Sequence, residues 1–260
     1  MEAPKTENPP NQRRIKNIDK IYVINMDHNT NRLHSFSELM NNLNLDFERF
    51  PAINGQLYKP KYLSPGEYGC FSSHRKIWKI IAKDNTINKA IIFEDDIIIN
   101  LKLKNDYAKT KALVDHYCNN YTFDIFYLGK CLDRCDLHLA QGEGVVRTFK
   151  PSCLHAYVIT KETAKILLSR YPKHPKHPVD NFLIECINKE ELLAFAAQPS
   201  IFVQDNVCYE SNLRSRFSQL ILNTKECGVP RDASYIYAFL GLVSVIFIVV
   251  VIYWSVNRRR

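Results

Sequence analysis

The 260-residue chain has no internal repeat, no low-complexity block and no Gly-x-x-x-x-Gly-Lys loop. The first two absences exclude repeat arrays and simple linkers. The third removes the P-loop form of nucleoside triphosphate chemistry. Eight cysteines are present, but without the paired spacing of a zinc module. Their one cluster, Cys131-x₃-Cys135 with His138, lacks a second ligand pair and reads as structural or as a disulfide, while Cys70, Cys153 and Cys186 sit among apolar residues and read as buried thiols. No basic stripe with interleaved aromatics offers a nucleic-acid surface. The net charge of +8 includes Arg258, Arg259 and Arg260, and the remaining lysines are scattered among Asp and Glu. Such a basic excess suits solubility, a nucleotide diphosphate or acidic lipid without choosing among them. Residues 1–16 lack the apolar core of a signal peptide, and Pro4, Pro9 and Pro10 among polar neighbours lead us to expect disorder there.

A long apolar run is present at the other end. Ile236 to Val256 carries no charge and is long enough for a bilayer-spanning helix of roughly 20 residues. Tyr235, Tyr237, Tyr253 and Trp254 flank it at headgroup level, and a basic tail, 257–260, follows a linker, 223–235. A buried core helix is the competing reading. The triple arginine argues for a cytosolic C-terminus, whereas the missing signal peptide argues for a tail anchor with the folded domain cytosolic, and the second cue is the one we follow.

Between these ends the apolar period alternates. Ile21–Asn25 reads as a strand; Leu33, Phe36, Met40 and Leu43 form a helical stripe; Phe47–Phe50 returns as a strand. Ser64, Pro65 and Glu67 have capping-box spacing with proline at the first helical position, so a helix should run from there to about Ala82. Further strands near Ile91, at Phe123–Leu128 and at Ala156–Ile159 predict an α/β fold with a doubly wound, mostly parallel sheet. Ligands of such sheets lie beyond the carboxyl ends of the strands, where Asn25, Asp27 and Glu94–Asp96 would fall.

Glu94-Asp95-Asp96 is set between Ala90-Ile91-Ile92-Phe93 and Ile97-Ile98-Ile99. Adjacent carboxylates in apolar surroundings repel one another and lose hydration, and a divalent ion is the natural compensation. A solvated acidic turn is the plain alternative.

The triplet belongs to an ordered series of blocks. Lys20-Ile21-Tyr22-Val23-Ile24-Asn25-Met26-Asp27 with Asn31-Arg32, Phe47 to Gly55, Leu63 to Cys70 with Ser72-Ser73-His74, Phe93 to Asp96, His155 to Thr160, Pro178 to Leu183, Gln198-Pro199-Ser200 and Ser211 follow one another in this order. From about residue 20 to about 215 the chain thus resembles glycosyltransferase family 25, the lipopolysaccharide and collagen galactosyltransferases. The resemblance implies a GT-A-like domain over 17–222 that moves galactose or glucose, with inversion, from a UDP-sugar to a hydroxyl of a glycan, a lipid-linked glycan or hydroxylysine. It also implies Mn²⁺ or Mg²⁺ on Asp96 and Glu94, with Asp95 or Glu94 toward the ribose or metal-bound water. Asp180 would be the base that deprotonates the acceptor, or else a helix N-cap. Arg32 would meet phosphate, or be an exposed helix arginine; Ser73, His74 and His155 would hold donor or acceptor, or be satisfied buried residues. A binding module that has lost turnover and a metal-dependent nucleotidyltransferase remain the alternatives.

Overall fold

The computed structural model describes residues 13–205 apart from 104, 105, 132, 134 and 173. The expected linker, membrane helix and basic tail lie outside the described residues, as do Ser211 and residues 1–12. Among the described residues no helix is long and apolar enough to cross a membrane. Residues 13–16 correct the expectation of a disordered start. Arg13 pairs with Asp46 at 2.7 Å, Ile15 is buried in the core, and the Lys16 N–H donates to Asp115. Further bonds from Arg13 to Asn41 and the Leu45 carbonyl, and from Asn119 to the Lys16 carbonyl, help to hold the segment.

The order of elements is β1 (Lys20–Asn25), α1 (Thr30–Asn42), β2 (Glu48–Pro51), α2 (Pro65–Lys83), β3 (Lys89–Glu94), β4 (Ile97–Ile99), α3 (Tyr107–Asn120), β5 (Ile125–Cys131), β6 (Leu139–Gly142), β7 (Val145–Arg147), β8 (Ser152–Thr160), α4 (Lys161–Arg170), α5 (Val179–Asn188), β9 (Ala194–Ala197) and β10 (Phe202–Gln204). Eight strands form one sheet in the order β2-β1-β3-β8-β5-β9-β7-β6, and β10 pairs with β4 beside it. Strands β2, β1 and β3 are parallel neighbours, as are β5 and β9.

The sheet is mixed, which corrects one expectation. Strand β8, which covers Ala156–Ile159, runs antiparallel to both β3 and β5 and does not extend the parallel set. Between β5 and β8 the described chain holds only a short 3₁₀ turn and the hairpin β6–β7, with no helix to carry it back to the opposite end of the sheet. A parallel return needs such a crossover, so β8 starts where β5 stops and runs back beside it. The Cys131–Cys153 disulfide fastens the two at that corner. It therefore also corrects the reading of Cys153 as a free thiol and of Cys131 as a partner for Cys135.

Alternation along the strands divides the core. Val23, Ile91, Phe93, Phe126 and Val158 face α1 and α3, where Phe36, Met40, Val114 and Cys118 meet them. Tyr22, Ile92, Ile125, Tyr127 and Tyr157 face the other way, against Phe71, Ile77, Trp78 and Ile81 of α2 and Leu167 and Leu183 of α4 and α5. Burying each such side chain stabilises the fold by about 1.5–3 kcal/mol, which is why the period-2 pattern fixes the strand faces. Helix α2 begins as its residues demand. Ser64 Oγ accepts from the Glu67 N–H, the Glu67 carboxylate accepts from the Ser64 N–H at 2.8 Å, and Pro65 opens the first turn.

Candidate active site

A cavity of about 420 Å³ lies beyond the carboxyl ends of β1 and β3, where the crevice rule for such sheets puts ligands. Its lining comes from the end of β1 and the loop after it, the start of α1, the turn after β2, the first three turns of α2, the end of β3 with its acidic triplet, and Gln204 of β10. Two glycines let the wall close. A Cβ on Gly55 would lie 1.6 Å from the Pro65 carbonyl oxygen, and one on Gly69 would lie 2.4 Å from that of Ile53. Ser73 braces the same contact, accepting from the Ile53 N–H at 2.8 Å and donating to the Gly69 carbonyl at 2.7 Å.

The three carboxylates point to three different partners. Asp95 is consumed by scaffold: Asn25 donates to it at 2.6 Å and Arg32 at 3.1 Å. Burial raises its pKa, and those two partners oppose the rise. Glu94 faces α2, with His74 Nε2 3.4 Å and Cys70 Sγ 3.7 Å from its Oε1. Burial works to raise its pKa, but His74, His155 and Cys70 outweigh it and bring the value below the ordinary one. Asp96 has the weakest compensation. Arg32 stands 3.6 Å from its Oδ2, Gln204 hydrogen-bonds it, and its Oδ1 is buried with no hydrogen-bond partner. Burial, and after it the charge of Glu94, push its pKa up to about 7.

The expected site residues therefore separate into groups. Arg32, Ser73, His74, Glu94, Asp95 and Asp96 line the cavity together. Asn25 is buried behind them with its amide spent on Asp95, Asn29 and Arg49, so it holds the acidic loop and does not face a ligand. Asp27 is largely exposed, pairs with Arg49 and lies outside the lining. His155 is buried under the sheet end, with Nε2 3.2 Å from the Phe202 carbonyl oxygen and its pKa lowered by burial. Asp180 is not the N-cap of α5, a position held by Pro178. It sits in the first turn, accepts from the Asn181 N–H at 2.9 Å and from the Cys153 N–H at 3.4 Å, and lies outside the cavity lining. Its charge still reaches Cys70, which lines the cavity: that thiol is raised well above its ordinary value by burial, then by Glu94 and Asp180.

Reading by residue type missed several contributors. Arg49 on β2 clamps the Asn25 carbonyl and side chain, and Gln204 arrives on β10 from more than a hundred residues beyond the triplet. Met26, His28, Asn54 and Gln56 complete the wall. Met26, Arg49 and Asn54 lay within the ordered sequence blocks, but nothing local marked them as part of the site.

The fold and the site together define a mixed α/β domain with a carboxylate-floored crevice beyond the carboxyl ends of β1 and β3. The family model for glycosyltransferase family 25 (LPS biosynthesis protein) matches residues 18–183, and the chain belongs to that family. A glycosyltransferase 25 family member of Drosophila melanogaster is 24% identical over 82% of this chain and 40% of its own length. Procollagen galactosyltransferase 1-A of Xenopus laevis is 27% identical over 70% of this chain and 35% of its own. The chain thus spans well under half the length of these curated relatives. A solved glycosyltransferase involved in glycosylation of the major capsid of PBCV-1 aligns over 77% of this chain and 95% of its own at 13% identity, with a TM-score of 0.44.

Proposed function

We propose that the protein transfers a hexose, galactose or glucose, from a UDP-sugar to a hydroxyl of a glycan, lipid-linked glycan or hydroxylysine acceptor, with inversion at the sugar. The observation that carries this reading is the unpartnered Oδ1 of buried Asp96 beside Glu94 on the cavity floor. Asp96 shares one guanidinium with Asp95 and keeps an oxygen without a hydrogen-bond partner, and the oxygen donors of Asp96 and Glu94 fit a hard divalent ion such as Mn²⁺ or Mg²⁺. Asp96 and Glu94 would hold it, and when bound it supplies positive charge to a departing diphosphate. Arg32, fixed by Asp95 and open to the cavity, adds a cation that cannot be deprotonated. Asp180 is our acceptor base. The hydrogen bond from the Cys153 N–H that holds it and its electrostatic reach to Cys70 on the cavity wall support this reading. The apolar run 236–256 would tether the domain to a membrane, with the domain on the cytosolic side.

A screen of purified full-length protein in detergent against nucleotide sugars, with Mn²⁺ and chelator controls, tests the proposal. Acceptor-dependent release of UDP, lost in chelator, is the expected result. Nucleotide-sugar binding without transfer would leave a binding module, and consumption of nucleoside triphosphate would favour a nucleotidyltransferase.

A further inference from the structure

Cys70, His74 and Glu94 place one thiol, one imidazole nitrogen and one carboxylate oxygen within 4.8 Å of one another at the cavity edge. Cys70 and His74 are one turn apart on α2, so both side chains leave the same face of the helix, and Glu94 ends β3 opposite them. Tetrahedral zinc, with its usual bond lengths to nitrogen, oxygen and sulfur, needs edges of roughly 3.4 Å between N and O and roughly 3.6 Å between S and O. The distances here are 3.4 Å from His74 Nε2 to Glu94 Oε1 and 3.7 Å from Cys70 Sγ to the same oxygen.

The surroundings match such a site as well. His74 is fully buried, and its other nitrogen, Nδ1, lies 2.9 Å from the Tyr157 hydroxyl, which also accepts from Trp78 Nε1 at 3.0 Å. An imidazole whose second nitrogen is fixed by a polar partner has its ring orientation set for ligation through the first. Cys70, His74 and Glu94 all line the cavity, so a fourth position would face the open space.

We infer that Cys70, His74 and Glu94 form a three-ligand site for a soft or borderline divalent cation, of which zinc is the type, with its open position toward the cavity. The ligand set distinguishes it from the all-oxygen donors at Asp96, because thiolate and imidazole select zinc or cobalt over magnesium or manganese. Binding replaces the Cys70 thiol proton, which passes to solvent, by the metal–sulfur bond. Glu94 is common to both places, so an ion held here withdraws that carboxylate from Asp96.

Cobalt titration of the metal-free full-length protein tests the inference through a readout independent of sugar transfer. A thiolate-to-cobalt charge-transfer band that saturates at one equivalent and is displaced by zinc is expected. Cys70→Ser should abolish the band, while Cys186→Ser, at a buried thiol on α5, should keep it. Glu94→Gln should retain the band but weaken cobalt binding at least tenfold, which covers the case in which Cys70→Ser fails to fold. Absence of the band in the wild-type protein, its persistence in folded Cys70→Ser, or unchanged cobalt affinity in Glu94→Gln would overturn the site. Manganese-dependent transfer without the cobalt band would sink this site and leave the transferase reading intact; the band without transfer would do the reverse.

Discussion

Asp96 and Asp133 are both buried carboxylates at the ends of sheet strands, and they are treated in opposite ways. Asp133 Oδ2 accepts from Thr148 Oγ1 at 2.5 Å and His138 Nε2 at 2.6 Å, and Lys130 Nζ stands 3.2 Å away and also donates to Gln198. Burial would raise its pKa, but His138, Lys130 and Thr148 together hold it far below the usual carboxylate range. Asp96 shares one arginine with Asp95 and keeps a bare oxygen. A carboxylate whose lone pairs are filled by the protein is a structural tie. One left with uncompensated charge beside a cavity is poised for a ligand, because the protein alone does not make its ionised form comfortable.

The sharpest way to break this contrast is Asp96→Asn, which removes charge at nearly constant volume. Turnover should fall at least a thousandfold, about 4 kcal/mol of transition-state stabilisation, with the circular dichroism spectrum unchanged. Near-normal turnover would show that Asp96 serves no ligand. Asp133→Ala should do the converse. It removes the carboxylate on which Lys130, His138 and Thr148 converge and should cost about 3–4 kcal/mol in urea unfolding.

Acid and base should separate the two carboxylates without any mutation. The raised pKa of Asp96 means that its protonated form stabilises the fold below the unfolded value of 3.8, and this contribution is lost as pH rises to about 7. The metal-free wild type should therefore lose up to about 3–4 kcal/mol across that window, a loss absent from Asp96→Asn. Asp133, with its lowered pKa, stabilises above 3.8 and loses that contribution only in stronger acid. Urea midpoints from pH 2 to 8 check both signs. Asp180→Asn should lower turnover about a hundredfold with little change in UDP-sugar affinity, since a base acts on the acceptor. Reduced nucleotide-sugar binding at unchanged turnover per bound substrate would make it a structural residue. Ser64→Ala should cost about 1 kcal/mol of stability by opening the capping box at the head of α2.

Local chemistry made parts of this molecule legible in advance. Ser64, Pro65 and Glu67 marked the start of α2 to the residue, and β-branched runs located β1 and β3, since both depend on neighbours within a few positions. The direction of β8 was not legible, because it depends on the lack of a crossover helix rather than on the strand's own residues. Nor was the partner of Cys131, which lies 22 residues away across a hairpin. Within the site the triplet was found as a unit, and its division into metal and ribose ligands came from the resemblance and not from the residues themselves. What separates Asp95 from Asp96 is that Asn25 and Arg32 converge on the first, from positions 70 and 63 residues away. The role of Arg49 in holding Asn25, and so in turning Asn25 into scaffold, is a product of β1–β2 pairing alone.

The close approach of Gly55 to Pro65 and of Gly69 to Ile53 makes one side of the cavity out of main chain. A surface built from peptide groups cannot be retuned by exchanging side chains, because any larger residue at either glycine collides with a carbonyl oxygen before it reaches a ligand. Divergence in what this pocket accepts is thereby channelled to lining positions such as Met26, His28 and Gln56, whose side chains can vary in size and polarity. Anyone seeking to redirect the protein toward another ligand should start with those three and leave the glycine pair untouched.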